Sequence, residues 1–142
     1  MRRLFLLLFI TFLSSCGGTS NPNTPPDDSD TQVSDGFKIT YTPAENFYVA
    51  KGDTGDLQIT ADITKPDAIA RLSVYVSDGP TYITVSPKTL ELRDGETKTI
   101  KVTVSATAED SQKPYITISV NGENAKGDGI SEVITKTFAW SF

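Results

Sequence analysis

From Phe37 onward the chain alternates apolar and polar residues in short runs separated by turn residues. The runs are "FKITY" (37–41), "LQITADI" (57–63), "RLSVYVS" (71–77), "YITVS" (82–86), "TLEL" (89–92), "TIKVTVSA" (99–106), "YITISVN" (115–121) and "EVITKTFAWSF" (132–142). All are rich in β-branched and aromatic side chains, which suit a pleated, half-buried surface. A period of two puts every second side chain on one face of a strand, whereas a helix needs a period of about 3.6. Between the runs stand Lys51-Gly52-Asp53, Asp78-Gly79-Pro80, Arg93-Asp94-Gly95, Asn121-Gly122 and Gly127-Asp128-Gly129, combinations that favour tight turns. The pattern predicts an all-β domain over 36–142. It should be a single antiparallel β-sandwich of about seven to eight strands, each with one buried face.

The domain contains an internal echo. "FYVAKGDTGDLQITADI" and "LELRDGETKTIKVTVSA" align on Gly52 and Gly95. In each copy a strand ends, glycine takes the turn, an acidic residue and threonine follow, and an alternating strand begins. Two copies are too few for a repeat array, so the echo is expected to mark two edges of the sandwich.

The stretch "ITVSPKTLELRDGETKTIKVTVSA" (83–106) resembles a phrase of bacterial immunoglobulin-like domains, in which a V-S-P step precedes a short strand, a G-E-T turn and a long alternating strand. Similar phrasing occurs in major-sperm-protein-like sandwiches, in the periplasmic pilus-chaperone sandwich and in domains appended to bacterial glycosidases. The resemblance implies an immunoglobulin-like sandwich. It says little of function, because such families share architecture while binding unrelated things.

The start of the chain carries a different signal. Arg2 and Arg3 precede an apolar run from Leu4 to Leu13. That run is shorter than the roughly 20 residues a helix needs to span a bilayer, and has the form of a secretory signal. Leu13-Ser14-Ser15-Cys16 resembles a bacterial lipobox, and Cys16 is the one cysteine in the sequence. The resemblance implies a signal peptide over 1–15, a lipidated Cys16 and attachment to the membrane through the N-terminal lipid. Gly17, standing where aspartate would favour inner-membrane retention, implies the outer membrane. Read without the resemblance, the residues also suit an ordinary secretory signal with an incidental cysteine, or a free thiol that pairs between chains.

From Gly17 to Asp35 the text "GGTSNPNTPPDDSDTQVSD" holds one aliphatic residue, Val33. With so little apolar surface to bury, residues 16–35 are expected to form the lipidated cysteine and a flexible linker, reaching roughly 25 Å.

Catalytic chemistry finds few carriers. The sequence has no histidine, which removes the usual general base and the commonest zinc ligand. Asp53 with Asp56, or Glu91 with Glu96, offer carboxylates, but turn and solvent-face roles explain them. The expectation is no enzyme and no cofactor. Asp53, Asp56, Asn121 and Asp128 are oxygen-bearing candidates for calcium, though the same residues are what hairpin turns require. On the last strand Phe138, Trp140 and Phe142 share a face. They either close the core or form a surface stripe for stacking on a glycan or another chain. Setting aside Arg2 and Arg3 leaves eleven basic against eighteen acidic side chains, a net charge of −7, which argues against nucleic acid or anionic lipid as a direct partner. These readings converge on a non-catalytic cell-envelope protein that displays a sandwich domain for protein or glycan binding. The alternative is an accessory structural subunit of a larger envelope assembly, docking by β-strand addition.

Overall fold

The computed structural model describes residues 28–77, 79–130 and 133–142. The expected signal peptide, Cys16 and residues 16–27 of the expected linker lie outside the described residues. Nine strands are present: β1 (Asp30–Ser34), β2 (Phe37–Thr42), β3 (Thr54–Ile63), β4 (Arg71–Ser77), β5 (Ile83–Ser86), β6 (Thr89–Leu92), β7 (Thr97–Val104), β8 (Tyr115–Glu123) and β9 (Ile134–Ala139). They form two sheets, ordered β1-β2-β3-β7-β5 and β6-β4-β8-β9. Every pairing is antiparallel. The architecture is an immunoglobulin-like β-sandwich.

The period-two pattern does what it predicts. Phe37, Ile39 and Tyr41 of β2, Leu57 and Ile59 of β3, Leu72 of β4, Ile100 of β7 and Ile116 and Ile118 of β8 are all fully buried between the sheets. Burying such side chains contributes about 1.5–3 kcal/mol each, and this is what holds a domain that has no disulfide. Their polar neighbours face outward and pair across strands, as Thr54 with Thr103 (2.7 Å) and Thr60 with Thr97 (2.8 Å) show on the five-stranded sheet. Tyr41 is an exception, because its buried hydroxyl has no protein hydrogen-bond partner. Burial, and then the charge of Asp30, push its phenol well above the usual range.

The strands that follow the two echoed turns lie inside the five-stranded sheet, although the second segment starts in the edge strand β6 of the other sheet. These strands, β3 and β7, are antiparallel neighbours at the centre of the five-stranded sheet. Gly52 and Gly95 both take positive φ, 82° and 71°, the left-handed region that glycine enters without penalty. Each turn then folds onto the far end of the other strand: Gly52 N donates to Val104 O (2.9 Å), and Gly95 N to Ala61 O (3.0 Å). One device, used twice, caps the central pair at both ends.

The linker expected over 16–35 does not extend that far. Asp30–Ser34 form β1, paired in register with β2 from Asp30↔Tyr41 to Ser34↔Phe37. Just before it, the Asp28 carboxylate accepts from Glu45 N (2.7 Å) and Asn46 N (3.1 Å), and Ala44 N donates to the Asp28 carbonyl (3.0 Å). Burial raises the Asp28 carboxyl, but the backbone N–H groups of Glu45, Asn46 and Ala44 outweigh it and hold the group below its ordinary value. The domain therefore begins at or before Asp28, and the chain enters it at a fixed point.

That point defines a pole. At Asp28's end lie the segments 43–53, 79–82 and 105–114 and the last residues, 140–142. At the opposite end lie Asp35-Gly36, 64–70, 93–96 and 124–130, tied together by Thr64 N to Gly36 O (2.8 Å), Ile63 N to Asp94 Oδ1 (2.8 Å) and Ala70 N to Glu123 O (2.8 Å). Along one side the edge strands β1 and β9 are bridged by Lys136 Nζ to Asp30 Oδ2, at 2.7 Å. Along the other, the chain steps from β5 in one sheet to β6 in the other through Pro87 and Lys88.

Candidate functional site

The aromatic stripe of the last strand is core. Phe138 and Trp140 are buried. Phe138 meets Tyr41 edge-on at 5.4 Å, and Phe47 stands between Phe138 (5.7 Å) and Trp140 (5.4 Å). Trp140 Nε1 donates to Val49 O at 3.0 Å, so its polar atom is satisfied inside. Phe142 packs part-buried against the same cluster, with Lys51 Nζ 5.6 Å from its ring centroid. Of the two readings of the stripe, Phe138 and Trp140 take the one that closes the core, and neither ring faces solvent. Lys136, which interrupts the stripe, runs out of the seam to reach Asp30.

The calcium candidates are not brought together. Asp53 and Asp56 lie at the Asp28 pole, and Asn121 and Asp128 lie toward the other. Asp56 pairs with Lys101 at 3.0 Å, and the Asp53 carbonyl accepts from Val104 N. Asp128 closes a turn with Asn124, whose Oδ1 accepts from Lys126 N and Asp128 N while its Nδ2 donates to Asp128 Oδ2 (3.1 Å). Among the described residues, no three His, Cys, Asp or Glu gather into a metal-ligand set. Glu91 and Glu96 separate as well. Glu96 turns back to Arg93 N (2.9 Å) and Lys98 (3.3 Å), while Glu91 faces the neighbouring strand β4.

There the structure builds a site that the sequence does not announce. β4 is flanked by β6 and β8, and its outward residues Arg71, Ser73 and Tyr75 stand in a row. Register sets Arg71 opposite Glu123, Ser73 opposite Asn121 and Glu91, and Tyr75 opposite Ser119 and Thr89. Arg71 Nε donates to Glu123 Oε2 at 2.9 Å and lies 3.6 Å from Glu91 Oε1, while Ser73 Oγ donates to Glu123 Oε1 at 2.6 Å. One guanidinium is thus shared by two carboxylates. The Ser73 hydroxyl, and with it Arg71, hold the Glu123 carboxyl below the usual carboxylate range against the opposing effect of burial. Beside this network opens a hollow of about 540 Å³, lined by Ser73, Val74, Tyr75, Thr89, Leu90, Glu91 and Glu123. Tyr75 rises at its margin and is 65% exposed. The hollow lies toward the pole opposite Asp28, since Arg71 begins β4 and Glu123 ends β8 at that end.

Known proteins add a likeness of fold. Neither protein-family models nor curated proteins give a match to this sequence. Among solved structures, the chain is similar to WR4, a C. elegans MSP family member, at 15% identity and a TM-score of 0.47, over 63% of this chain and 85% of that one. It is also similar to an ASH/PapD-like domain of human CEP192, at 11% identity and a TM-score of 0.47, over 89% and 94% of the two chains. The YadV chaperone matches at 13% identity and a TM-score of 0.41, over 62% of this chain; this chain spans 43% of that one.

Proposed function

We propose that this protein is a lipid-anchored, non-catalytic protein of the bacterial cell envelope, held at the outer membrane through Cys16, that displays its immunoglobulin-like domain for binding a glycan or a protein. The observation that carries the reading is the clamp on Asp28. Cys16 closes the lipobox-like Leu13-Ser14-Ser15-Cys16, and the chain enters the folded domain twelve residues later, at a pole fixed by backbone N–H groups. An anchor at Cys16 would join the domain at its Asp28 pole, whereas Arg71 and Glu123 lie at the other pole. At least two acyl chains are needed for stable anchoring, and lipoprotein modification supplies them.

Glu123 does not suit the general-acid role of a glycosidase, which needs a raised carboxyl, because Ser73 and Arg71 hold it low. Docking by strand addition has less to build on. The outer strands β1, β5, β6 and β9 are five, four, four and six residues long, and short edges give a partner strand few hydrogen bonds.

Intact mass of the full chain, made in a bacterium and extracted in detergent, tests the anchor. The expected product begins at Cys16 and carries the mass of a diacylglycerol thioether with or without an N-acyl group. A product that begins elsewhere, or carries an unmodified Cys16, overturns the reading.

A further inference from the structure

We propose that the hollow beside Tyr75 is a glycan subsite, taking a neutral pyranose whose apolar ring face lies on Tyr75 while its hydroxyls bond to Glu91 and Thr89, beside the guanidinium of Arg71. This rests on the reading of the domain as a binding module and names the ligand class for it.

The first ground is the ring. Tyr75 is 65% exposed in the middle of a sheet face whose cross-strand neighbours, Ser119 and Thr89, are too short to cover it. An aromatic side chain with a large apolar body and a polar tip suits a ligand that is apolar on one face and hydroxylated at its rim. A pyranose with equatorial hydroxyls has that shape.

The second ground is the polar set that converges on the same space. Glu123 is spent on Ser73 and Arg71 and fixes the guanidinium in place. Glu91, its side chain 66% exposed and only loosely approached by Arg71 at 3.6 Å, keeps acceptor capacity for ligand hydroxyls. Vicinal hydroxyls are suited to a carboxylate beside a guanidinium, because one group accepts and the other donates.

The third ground is charge. Two carboxylates line the hollow, with the Arg71 guanidinium beside them and outside its lining, and the whole chain carries −5. That disfavours phosphorylated, sulfated or uronic sugars and acidic peptides. The remainder of this outer face is hydroxylated and free of charge through Ser77, Thr117, Ser119, Thr135 and Thr137, with Thr117 Oγ1 3.1 Å from Thr137 Oγ1. A protein partner fits less well. A specific protein interface centres on a cluster of apolar and aromatic anchors over about 800 Å² per side, and here the exposed rings, Tyr75 and Tyr115, stand apart among hydroxyls.

The test is calorimetric titration of the full chain in detergent micelles with cellohexaose, maltohexaose and a β-1,4-galactohexaose. At least one of these should bind with a Kd of roughly millimolar, the range for one well-contacted sugar ring. Tyr75→Ala should weaken that binding by about tenfold or more. Tyr75→Trp should keep it. Tyr115→Ala should leave it unchanged, because Tyr115 is also exposed but sits at the opposite end of β8. Absence of binding by all three probes at roughly ten millimolar overturns the proposal, as does equal binding by the Tyr75→Ala and Tyr115→Ala proteins. Tighter binding of oligogalacturonate than of any neutral probe overturns the assignment of a neutral ligand. Sugar binding does not depend on whether Cys16 carries lipid, so its failure and the failure of the anchor give separate results.

Discussion

Trp140→Ala is expected to cost about 3–5 kcal/mol, the range for removing a large buried aromatic side chain. Three losses combine at this position. The indole leaves a cavity beside Phe47, whose ring it meets at 5.4 Å and 90°. The Val49 carbonyl loses the Nε1–H that it accepts at 3.0 Å. Finally, the segment 43–53, which belongs to no strand, loses a main apolar attachment to the sandwich, since Phe47 and Val49 are its large buried residues. Thermal and urea unfolding of the wild type and the variant would measure this, with the melting temperature falling by roughly 15 °C or more. Trp140→Phe should recover most of the loss. A change below about 1 kcal/mol would mean that Trp140 is a surface ring after all, and the core placement of the aromatic stripe would fail with it.

Gly79→Ala should rank next, at about 2–4 kcal/mol. A Cβ on Gly79 would stand 1.8 Å from Tyr115 O and 2.9 Å from its carbonyl carbon. Those atoms are backbone at the first position of β8, paired with Ala139 in the ladder to β9, so relief requires moving a strand. Overpacking against fixed backbone is worse than overpacking against a side chain that can rotate. Gly95 provides the contrast. A Cβ there meets nothing within 4 Å, and only its φ of 71° opposes substitution, which costs about 1–2 kcal/mol. Chemical denaturation of both variants should therefore place Gly79→Ala below Gly95→Ala in stability. The reverse order would contradict the tight approach of the 79–82 segment to β8.

How much of this could be read before folding depends on where the information sits. β2 to β9 are legible because each has a buried face, and burial writes a period of two into the sequence. β1 has no such face to advertise. Its one aliphatic residue, Val33, is 68% exposed, and the strand is held by backbone pairing with β2 and by the Lys136–Asp30 bridge. Composition therefore reads Asp30–Ser34 as linker. The echo of Gly52 and Gly95 was legible as one turn used twice, but not its place, because strand order at the centre or edge of a sheet is a long-range property. The last strand shows another limit. Alternation puts Phe138 and Trp140 on one face, yet only the opposite sheet decides that this face is inside.

The Tyr75 hollow was the least legible feature. Its parts come from β4, β6 and β8, and Arg71 and Glu123 meet only because register sets them opposite each other across fifty-two positions. Tyr75 was visible as one of five tyrosines, but nothing local distinguishes an exposed ring from a buried one such as Tyr41. The signal that could have found it is the outward row Arg71, Ser73, Tyr75, three polar-capable side chains in alternation with Leu72, Val74 and Val76.

The central claim is that a lipid on Cys16 holds this domain at a membrane, and fractionation of cells making the wild type beside Cys16→Ala tests it most directly. The account predicts that the wild type sediments with membranes and is released by detergent, while Cys16→Ala appears in the soluble envelope fraction with its sandwich intact. If the two proteins partition alike, Cys16 is not the anchor, and the attachment is contradicted.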